Sequence, residues 1–482
     1  MRDWLKREPL VITAGDGAVL RDAHGRKYLD ANASIWTNLH GHNHPKINAA
    51  IARQLRKLAH CSALGLANEP ASLLAERLVR AANPAWLRPA VRLPSTARKP
   101  DRSARRRAVD SPAHLAKVFF SDDGSTAMEV ALKLAYEFTR RTGRSQEPRF
   151  LSLAGAYHGD TVGAVSLGHI DLFHRAYAGL LFKSDMVMSP YCYRCPFNRA
   201  KPERADAREY RRCRWECVDK VEQAFEIRKQ KGKRYAGFVF EPLIQGAAGM
   251  LPQPAGWLAR ATAIARGHGA LLIADEVMTG FGRTGSQTGL PAPILNAGRR
   301  AFACHKEGVQ PDFMAVAKGL TGGYLPMAAT LTSAEIFDAF LGEYDEFKTF
   351  FHGHSFTGNP LGAAAAIASF DLLERPATDR ARKQLENALR EELMTLWSLP
   401  NVGDIRQVGL VAGIELVRDW RTREPLGLGE RAGMLVCDAM AARGVLTRPV
   451  GNVVVIMPPY CMTRAQVATM VDALRMAIRQ VF

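Results

Sequence analysis

The stretch ALLIADEV, residues 270–277, decides how the rest of the chain is read. Ala270, Leu271, Leu272, Ile273 and Ala274 run on without the alternation of a half-wet strand and stop at Asp275 and Glu276. That predicts a parallel strand buried on both faces. In open α/β sheets ligands bind outside the carboxyl ends of the strands, so charge at that point is placed for chemistry. The arrangement repeats in PDFMAVAKGLTGGYLP, residues 311–326, with Lys318 where the acids stood. Apolar surroundings disfavour an ammonium ion, the condition for an amine nucleophile that forms Schiff bases. Taken singly, each residue has a plainer reading, a solvated strand end or a lysine reaching out to water; the remainder of the chain has to favour the pair.

Composition limits the alternatives. With 482 residues, 47% hydrophobic and 23% charged, the chain is an ordinary globular protein with room for two or three domains. It has no apolar run of membrane-spanning length, and MRDWLKREPL lacks the apolar core of a signal peptide, so a cytoplasmic protein without membrane spans is expected. The formal net charge of +18 raises the possibility of nucleic-acid binding. Half of that excess lies in residues 98–107 (RKPDRSARRR) and 199–214, which read as solvated insertions; the first has no aromatics to stack on bases. No nucleic-acid partner is expected. Cys192, Cys195, Cys213 and Cys217 form a C-x2-C-x17-C-x3-C array, within reach of a four-thiolate zinc site and equally compatible with reduced cysteines in a metal-free loop. His40, His42 and His44 alternate along a loop and read as a packed turn.

Outward from the opening stretch, residues 10–30 predict a small antiparallel meander, and apolar spacing from Pro45 and from Pro70 predicts two helices. Val118–Phe120 reads as a strand, 121–125 as a turn, and Thr126 onward as a helix with Ala127, Ala131, Leu134, Ala135 and Phe138 on one face. Gly124-Ser125 at such a turn is a candidate phosphate cradle, where free N–H groups and the positive helix end meet an anion; a plain N-cap is the alternative. Tyr157 falls just past the strand RFLSL, where its ring can cover a flat ligand. KRYAGFVFEP supplies another strand, ending at Glu241. Strands alternating with helices predict a doubly wound α/β fold with a mostly parallel sheet. The pattern changes near Gly362 to that of an α+β unit. The expected division is an N-terminal segment (1–68) joining a small domain, a large domain (69–350) interrupted by insertions near 94–113, 196–214 and 287–300, and a C-terminal small domain with an interface segment (351–482).

These motifs together resemble the class III, fold-type I aminotransferases that use pyridoxal 5′-phosphate. The resemblance rests on DEV-x-TGFGRTG at 275–285, the lysine stretch, WTNLHGHNHP, DDGSTAMEVALK, AYHGDT, EPLIQGAAGM, HGHSFTGNP and GVLTRPVGNVVVIMPPY. It implies that Lys318 carries the coenzyme as a Schiff base and moves the proton, and that Asp275 pairs with the pyridinium nitrogen. Gly124 and Ser125 would bind the phosphate, Tyr157 and Val277 would pack the ring faces, and Ser355 would reach the phosphate of a second subunit in a homodimer. Arg448 would hold the carboxylate of a keto acid, while Trp36, Tyr157, Asp160, Arg283 and Gly353 would line the substrate end. The branch of the family matched by AYHGDT with TRPVGN and MPPY aminates 8-amino-7-oxononanoate to 7,8-diaminononanoate in biotin biosynthesis, with S-adenosylmethionine or lysine as donor. Relatives acting on ω-amino acids, diamines or polyamines are the alternative. Three departures stand out: no aromatic HPYT-like segment in MRDWLKREPL, His354 where proline is common, and Met278 where acetylornithine and 4-aminobutyrate relatives carry glutamine.

Overall fold

The structure, a computed structural model, describes residues 4–6, 8–84, 114–285 and 301–482. The expected insertions at 94–113 and 287–300, with the basic stretch 98–107, lie outside the described residues. The α/β fold expected from the sequence is present. Seven strands form one sheet in the order Leu115–Ser121, Ala328–Ser333, Phe313–Val316, Leu271–Asp275, Tyr235–Phe240, Arg149–Leu153, Asp185–Val187. Ala328–Ser333 runs against both its neighbours, and every other pairing is parallel.

Both faces of this sheet are covered, which is why its strands read as continuous apolar runs. Phe238, Phe240, Leu272, Ala274, Met314 and Val316 face one way and pack with Trp257, Leu258, Ala261 and Ala265 of the helix Trp257–Gly267. Val239, Leu271, Ile273, Phe313 and Ala315 face the other way, against the helix Gly124–Arg141. That helix buries Ala127, Ala131, Leu134, Ala135 and Phe138, the face its sequence spacing predicts. It starts two residues before the predicted Thr126. Asp123 is the N-cap, its side chain accepting from the Thr126 N–H at 2.9 Å while Thr126 Oγ1 accepts from the Asp123 N–H at 3.0 Å.

The second of the two predicted helices, expected over residues 69–88, spans Glu69–Ala82. Asn83, buried just beyond it, donates to the Leu115 carbonyl and accepts from the Leu115 N–H, which turns the chain toward the sheet edge. A second, antiparallel sheet combines Val402–Val408, Val411–Leu416, Val453–Ile456 and Pro449–Val450. The N-terminal meander Ile12–Asp16, Val19–Asp22, Lys27–Asp30 is extended by Val445–Leu446, which pairs parallel with Lys27–Asp30 and so ties the beginning of the chain to its end.

The segment 196–214 is solvated only in part: Arg199, Lys201, Arg212 and Arg214 are exposed, while three other arginines turn inward. Arg204 donates to the Val402 and Leu399 carbonyls and lies over Trp420, Arg208 grips Asp206 and the Gln407 carbonyl, and Arg211 stacks 4.0 Å from the Trp215 ring centre. The guanidinium groups satisfy carbonyls and cover aromatic faces of this same chain, a use of arginine that composition cannot distinguish from solvent exposure.

Candidate active site

The register of the large sheet places the site. Asp275 ends one strand beside Ala315 of the neighbouring parallel strand, so Lys318, just past that neighbour, leaves the sheet on the same edge. Glu241 follows Phe240, which pairs with Ala274 on the other side. Tyr157-His158 follows the next strand out, and Gly124 follows Leu115–Ser121. All these segments converge on a cavity of about 390 Å³ lined by Trp36, Asp123, Gly124, Ser125, Tyr157, His158, Glu241, Asp275, Val277, Met278 and Lys318 among others.

Lys318 reaches into this cavity with its Nζ 5.3 Å from the centre of the Trp36 ring. Burial lowers the affinity of its amine for a proton, opposed by the nearby carboxylates of Asp275 and Glu241. Trp36 is carried in by a turn in which Ala33, Ser34 and Trp36 all take positive φ, and its indole N–H donates to Asn32 Oδ1 at 2.9 Å. Asp275 is buried; one oxygen accepts from the Val277 N–H at 3.0 Å, and the other lies 2.7 Å from His158 Nδ1. At the opposite wall, the first turn of Gly124–Arg141 has N–H groups with no carbonyl partner inside the helix. A Cβ at Gly124 would lie 2.7 Å from Val277 Cγ1, so glycine is what lets these two segments approach. Gly159, at φ +124°, is packed more closely still: a Cβ there would lie 2.1 Å from Ser125 Oγ.

Tyr157 lines the cavity with its hydroxyl donating to Asp160 Oδ2 at 2.8 Å, and burial with the Asp160 carboxylate raises its phenol well above the ordinary range. The apolar end is built from Trp36, Met278 and Ala247, with Gly246 so close that a Cβ there would lie 2.6 Å from Met278 Sδ.

Five of the residues suggested by resemblance stand outside this wall. Asp160 is exposed, holding Tyr157 and giving its own N–H to Ser125 Oγ at 3.1 Å, so it steadies the wall from behind. Arg283 is fully buried beneath the site: its Nη1 donates to the Pro458 carbonyl at 2.6 Å and its guanidinium lies over Tyr460. Arg448 is exposed between Val445–Leu446 and Pro449–Val450. Gly353 and Ser355 are exposed too, on a segment brought to the cavity rim by His354 Nδ1, 3.4 Å from Asp122 Oδ2. His158 and Glu241 are wall residues for which the sequence offered no role. The signal for Glu241 was available, because GFVFEP ends an apolar run on an acid just as ALLIADE does.

The three alternating histidines go to separate partners: His40 Nε2 to Ser369 Oγ at 3.1 Å, His42 Nε2 to Asp30 Oδ2 at 2.9 Å, and His44 to the Lys46 N–H. Cys192, Cys195, Cys213 and Cys217 share one neighbourhood, where burial pushes the Cys192 thiol up to about 12 and Cys217 up to about 11. Cys213 Sγ accepts from Arg211 Nη1 at 3.0 Å. Among the described residues, the one set of three such side chains with ligand atoms all within 4.8 Å of one another is Glu222, Glu226 and His268; the four cysteines do not draw together in that way. No described helix is long and apolar enough to cross a membrane.

Residues 3–478 match the aminotransferase class-III family. The chain belongs to that family. Within it, the chain is 44% identical to the adenosylmethionine-8-amino-7-oxononanoate aminotransferase of Geobacter sulfurreducens, over 100% of this chain and 94% of that protein. It is 37% identical to the enzyme of the same name from Methanocaldococcus jannaschii, over 100% and 95%. Among solved structures, the M. jannaschii aminotransferase superposes with a TM-score of 0.82 at 35% identity, covering 99% of this chain and 95% of that one. A PLP-bound amine transaminase from an uncultivated Pseudomonas species gives 0.81 at 31%, covering 99% and 96%.

Proposed function

We propose that the cavity holds pyridoxal 5′-phosphate and that the protein transfers an amino group to 8-amino-7-oxononanoate, forming 7,8-diaminononanoate for biotin synthesis with S-adenosylmethionine as donor. The observation that carries this reading is the pairing of Lys318 with Asp275 across one cavity, in a chain 44% identical over its whole length to an enzyme of that name. The residues suit the coenzyme on their own terms. An amine whose protonation is disfavoured, a buried carboxylate on the far side and a helix N-terminus with glycine at close approach are what an aldehyde, a ring nitrogen and a phosphate need.

Bound there, pyridoxal phosphate supplies the electron sink that allows nitrogen and hydrogen to pass from one substrate to the next. The protein's share is positional. Lys318 would hold the coenzyme and, once displaced, would move the proton at the substrate carbon. Asp275, steadied by His158 and the Val277 N–H, keeps a proton on the ring nitrogen. The Gly124–Ser125 turn anchors the phosphate, and Tyr157 and Val277 confine the ring. Trp36, Met278 and Ala247 give the apolar surface that the aliphatic chain of an oxononanoate requires; Arg448, exposed outside the cavity wall, is the cation that the resemblance assigns to its carboxylate. Because donor and acceptor use one site in turn, the kinetics are ping-pong.

The exposed aromatics beside Ser355, with Phe351 75% and Phe356 60% accessible, suit burial against a second copy of the chain; in that homodimer Gly353 and Ser355 complete the partner's site. The division at residues 68 and 350 belongs to the same proposal.

The test is conversion of 8-amino-7-oxononanoate with adenosylmethionine or lysine as donor, with Lys318→Ala as control. Product formation that Lys318→Ala reduces by about 10²- to 10⁴-fold is the expected outcome. Turnover of simple amines with no diaminononanoate formed would replace this reading by that of the amine transaminases.

A further inference from the structure

The Tyr157 side chain has one hydrogen-bond tether, its hydroxyl donating to Asp160 Oδ2 at 2.8 Å. In a tyrosine the Cβ–Cγ and Cζ–Oη bonds lie on one line. The tether therefore fixes where the ring points and leaves its plane free to roll about that line, a torsion that is intrinsically broad and roughly two-fold. A ring that covers a flat coenzyme has to hold its plane. Asp160 does not supply that restraint.

Two other rings do, both from the turn after Gly168. Phe173 meets Tyr157 edge-on, with centres 6.2 Å apart and planes at 78°, and His174 lies nearly parallel to it, at 6.5 Å and 9°. Phe173 and His174 are themselves edge to face, at 6.2 Å and 70°. All three separations fall where aromatic rings orient one another. Neither Phe173 nor His174 lines the cavity; Phe173 stands at the surface, whereas His174 is buried. The imidazole is immobilised in turn. Its Nδ1 accepts from the Ile170 N–H at 3.2 Å, and Gly168 is so close that a Cβ there would lie 2.2 Å from His174 Cε1. Nε2 has no hydrogen-bond partner among the described residues, and burial lowers the affinity of the ring for a proton. His174 is thus a neutral plane, held mainly by packing.

We infer that His174 is a positioning residue for the coenzyme: stacked on Tyr157 and immobilised by Gly168 and the Ile170 N–H, its imidazole fixes the plane in which the phenol meets the coenzyme ring. The inference rests on the coenzyme reading above and on no choice of substrate. Two substitutions separate the plane from the hydrogen bond. Asparagine puts an oxygen where Nδ1 stands, which keeps the acceptor for Ile170 and removes the plane. Phenylalanine keeps the plane and removes the acceptor. A third, Tyr157→Phe, releases the tether to Asp160 and leaves both ring contacts in place.

The experiment uses the full-length enzyme loaded with pyridoxal phosphate, without amino substrates. Visible circular dichroism per bound coenzyme, which reports the asymmetry of its surroundings, is recorded with the coenzyme dissociation constant for the wild type and the three variants. His174→Asn is expected to lose much of the dichroism and to bind about three- to tenfold more weakly, the range of one aromatic pair. His174→Phe is expected to stay within about twofold of the wild type in both measurements, since the stacked pair is retained. Tyr157→Phe is expected to keep the wild-type dichroism. A merely structural His174 would lower the melting temperature of the coenzyme-free protein and leave the dichroism per bound coenzyme unchanged, and that result in His174→Asn overturns the inference. So does a His174→Phe protein as impaired as His174→Asn, which would assign the effect to the Ile170 hydrogen bond. The Tyr157→Phe arm stands whether or not the asparagine variant folds: dichroism lost there puts the plane under the control of Asp160 and also overturns the inference. A wild type that does not bind pyridoxal phosphate overturns the coenzyme reading, and this inference with it.

Discussion

His158 and Asp275 are joined at 2.7 Å through Nδ1 and Oδ2, with the imidazole fully buried and the carboxylate 6% accessible. The two residues come from strands that are not neighbours in the sheet: Tyr235–Phe240, ending at Glu241, lies between them. The bond therefore crosses the floor of the cavity and fixes one oxygen of Asp275, while the Val277 N–H fixes the other. Two directional contacts leave a carboxylate little freedom to rotate, so Asp275 is held in one orientation.

Replacing His158 by alanine is expected to release that carboxylate without changing the fold. A hydrogen bond to a charged group contributes about 1.5–3 kcal/mol, which corresponds to coenzyme affinity lower by roughly 10- to 100-fold. Equilibrium dialysis against pyridoxal phosphate measures it. Unchanged affinity would mean that the Val277 N–H alone orients Asp275.

Gly124 and Val277 permit a sharper test, because each sets the limit on the other. A Cβ on residue 124 would sit 2.7 Å from Val277 Cγ1 and 3.0 Å from Cγ2, and the Val277 N–H in turn donates to Asp275. Gly124→Ala is expected to cost about 1–3 kcal/mol through overpacking and to weaken coenzyme binding as the helix N-terminus moves off. Val277→Ala removes both methyl groups in the way. The double variant is therefore expected to recover most of the lost affinity, a coupling that a thermodynamic cycle of the four proteins quantifies. Additive losses would show that the glycine serves something other than this contact.

The parts of the site that were legible in the sequence are those that interrupt a strong pattern. Asp275 and Lys318 end apolar runs, and in a sheet covered on both faces such a run can stop only where the strand leaves the core. Gly124 was legible because a glycine at a strand-to-helix turn leaves few structural readings. His158 escaped notice because its role depends on crossing an intervening strand, and no local spacing records that. Arg283 was misplaced for a related reason. The string GFGRTG brings it close in sequence to Asp275, but the chain turns at Phe281 and Gly282, both at positive φ, and sends the guanidinium down to Pro458. Arg204, Arg208 and Arg211 could not be told from their exposed neighbours Arg199, Arg212 and Arg214, because composition counts charge and does not show which carbonyls and rings lie within reach.

Arg406 joins the second sheet to the cavity loop, and its partners make stability depend on pH. The guanidinium, fully buried, donates to Asp404 Oδ2 at 3.0 Å, Glu415 Oε2 at 2.6 Å, and the carbonyls of Gly249 and Met250 in the loop that begins at the cavity with Gly246 and Ala247. One cation thus serves two carboxylates. Glu415 keeps its charge, held below the usual carboxylate range by Arg406 and Arg194 against the effect of burial, and Asp404 pays the desolvation, pushed up to about 7. A carboxyl whose native value is raised binds a proton in the folded state that the unfolded chain has already released. Its stabilising contribution is complete below about 4, the unfolded value, and is lost as pH climbs through 7. Asp404→Asn removes that proton from the balance, so stability measured by urea denaturation is expected to fall less steeply between pH 4.5 and 7.5 in the variant than in the wild type. The wild-type excess in slope is about 1.4 kcal/mol for each pH unit in the middle of that window, the value for one proton. Equal slopes in the two proteins would place the Asp404 proton elsewhere and leave Arg406 shared evenly between two charged partners.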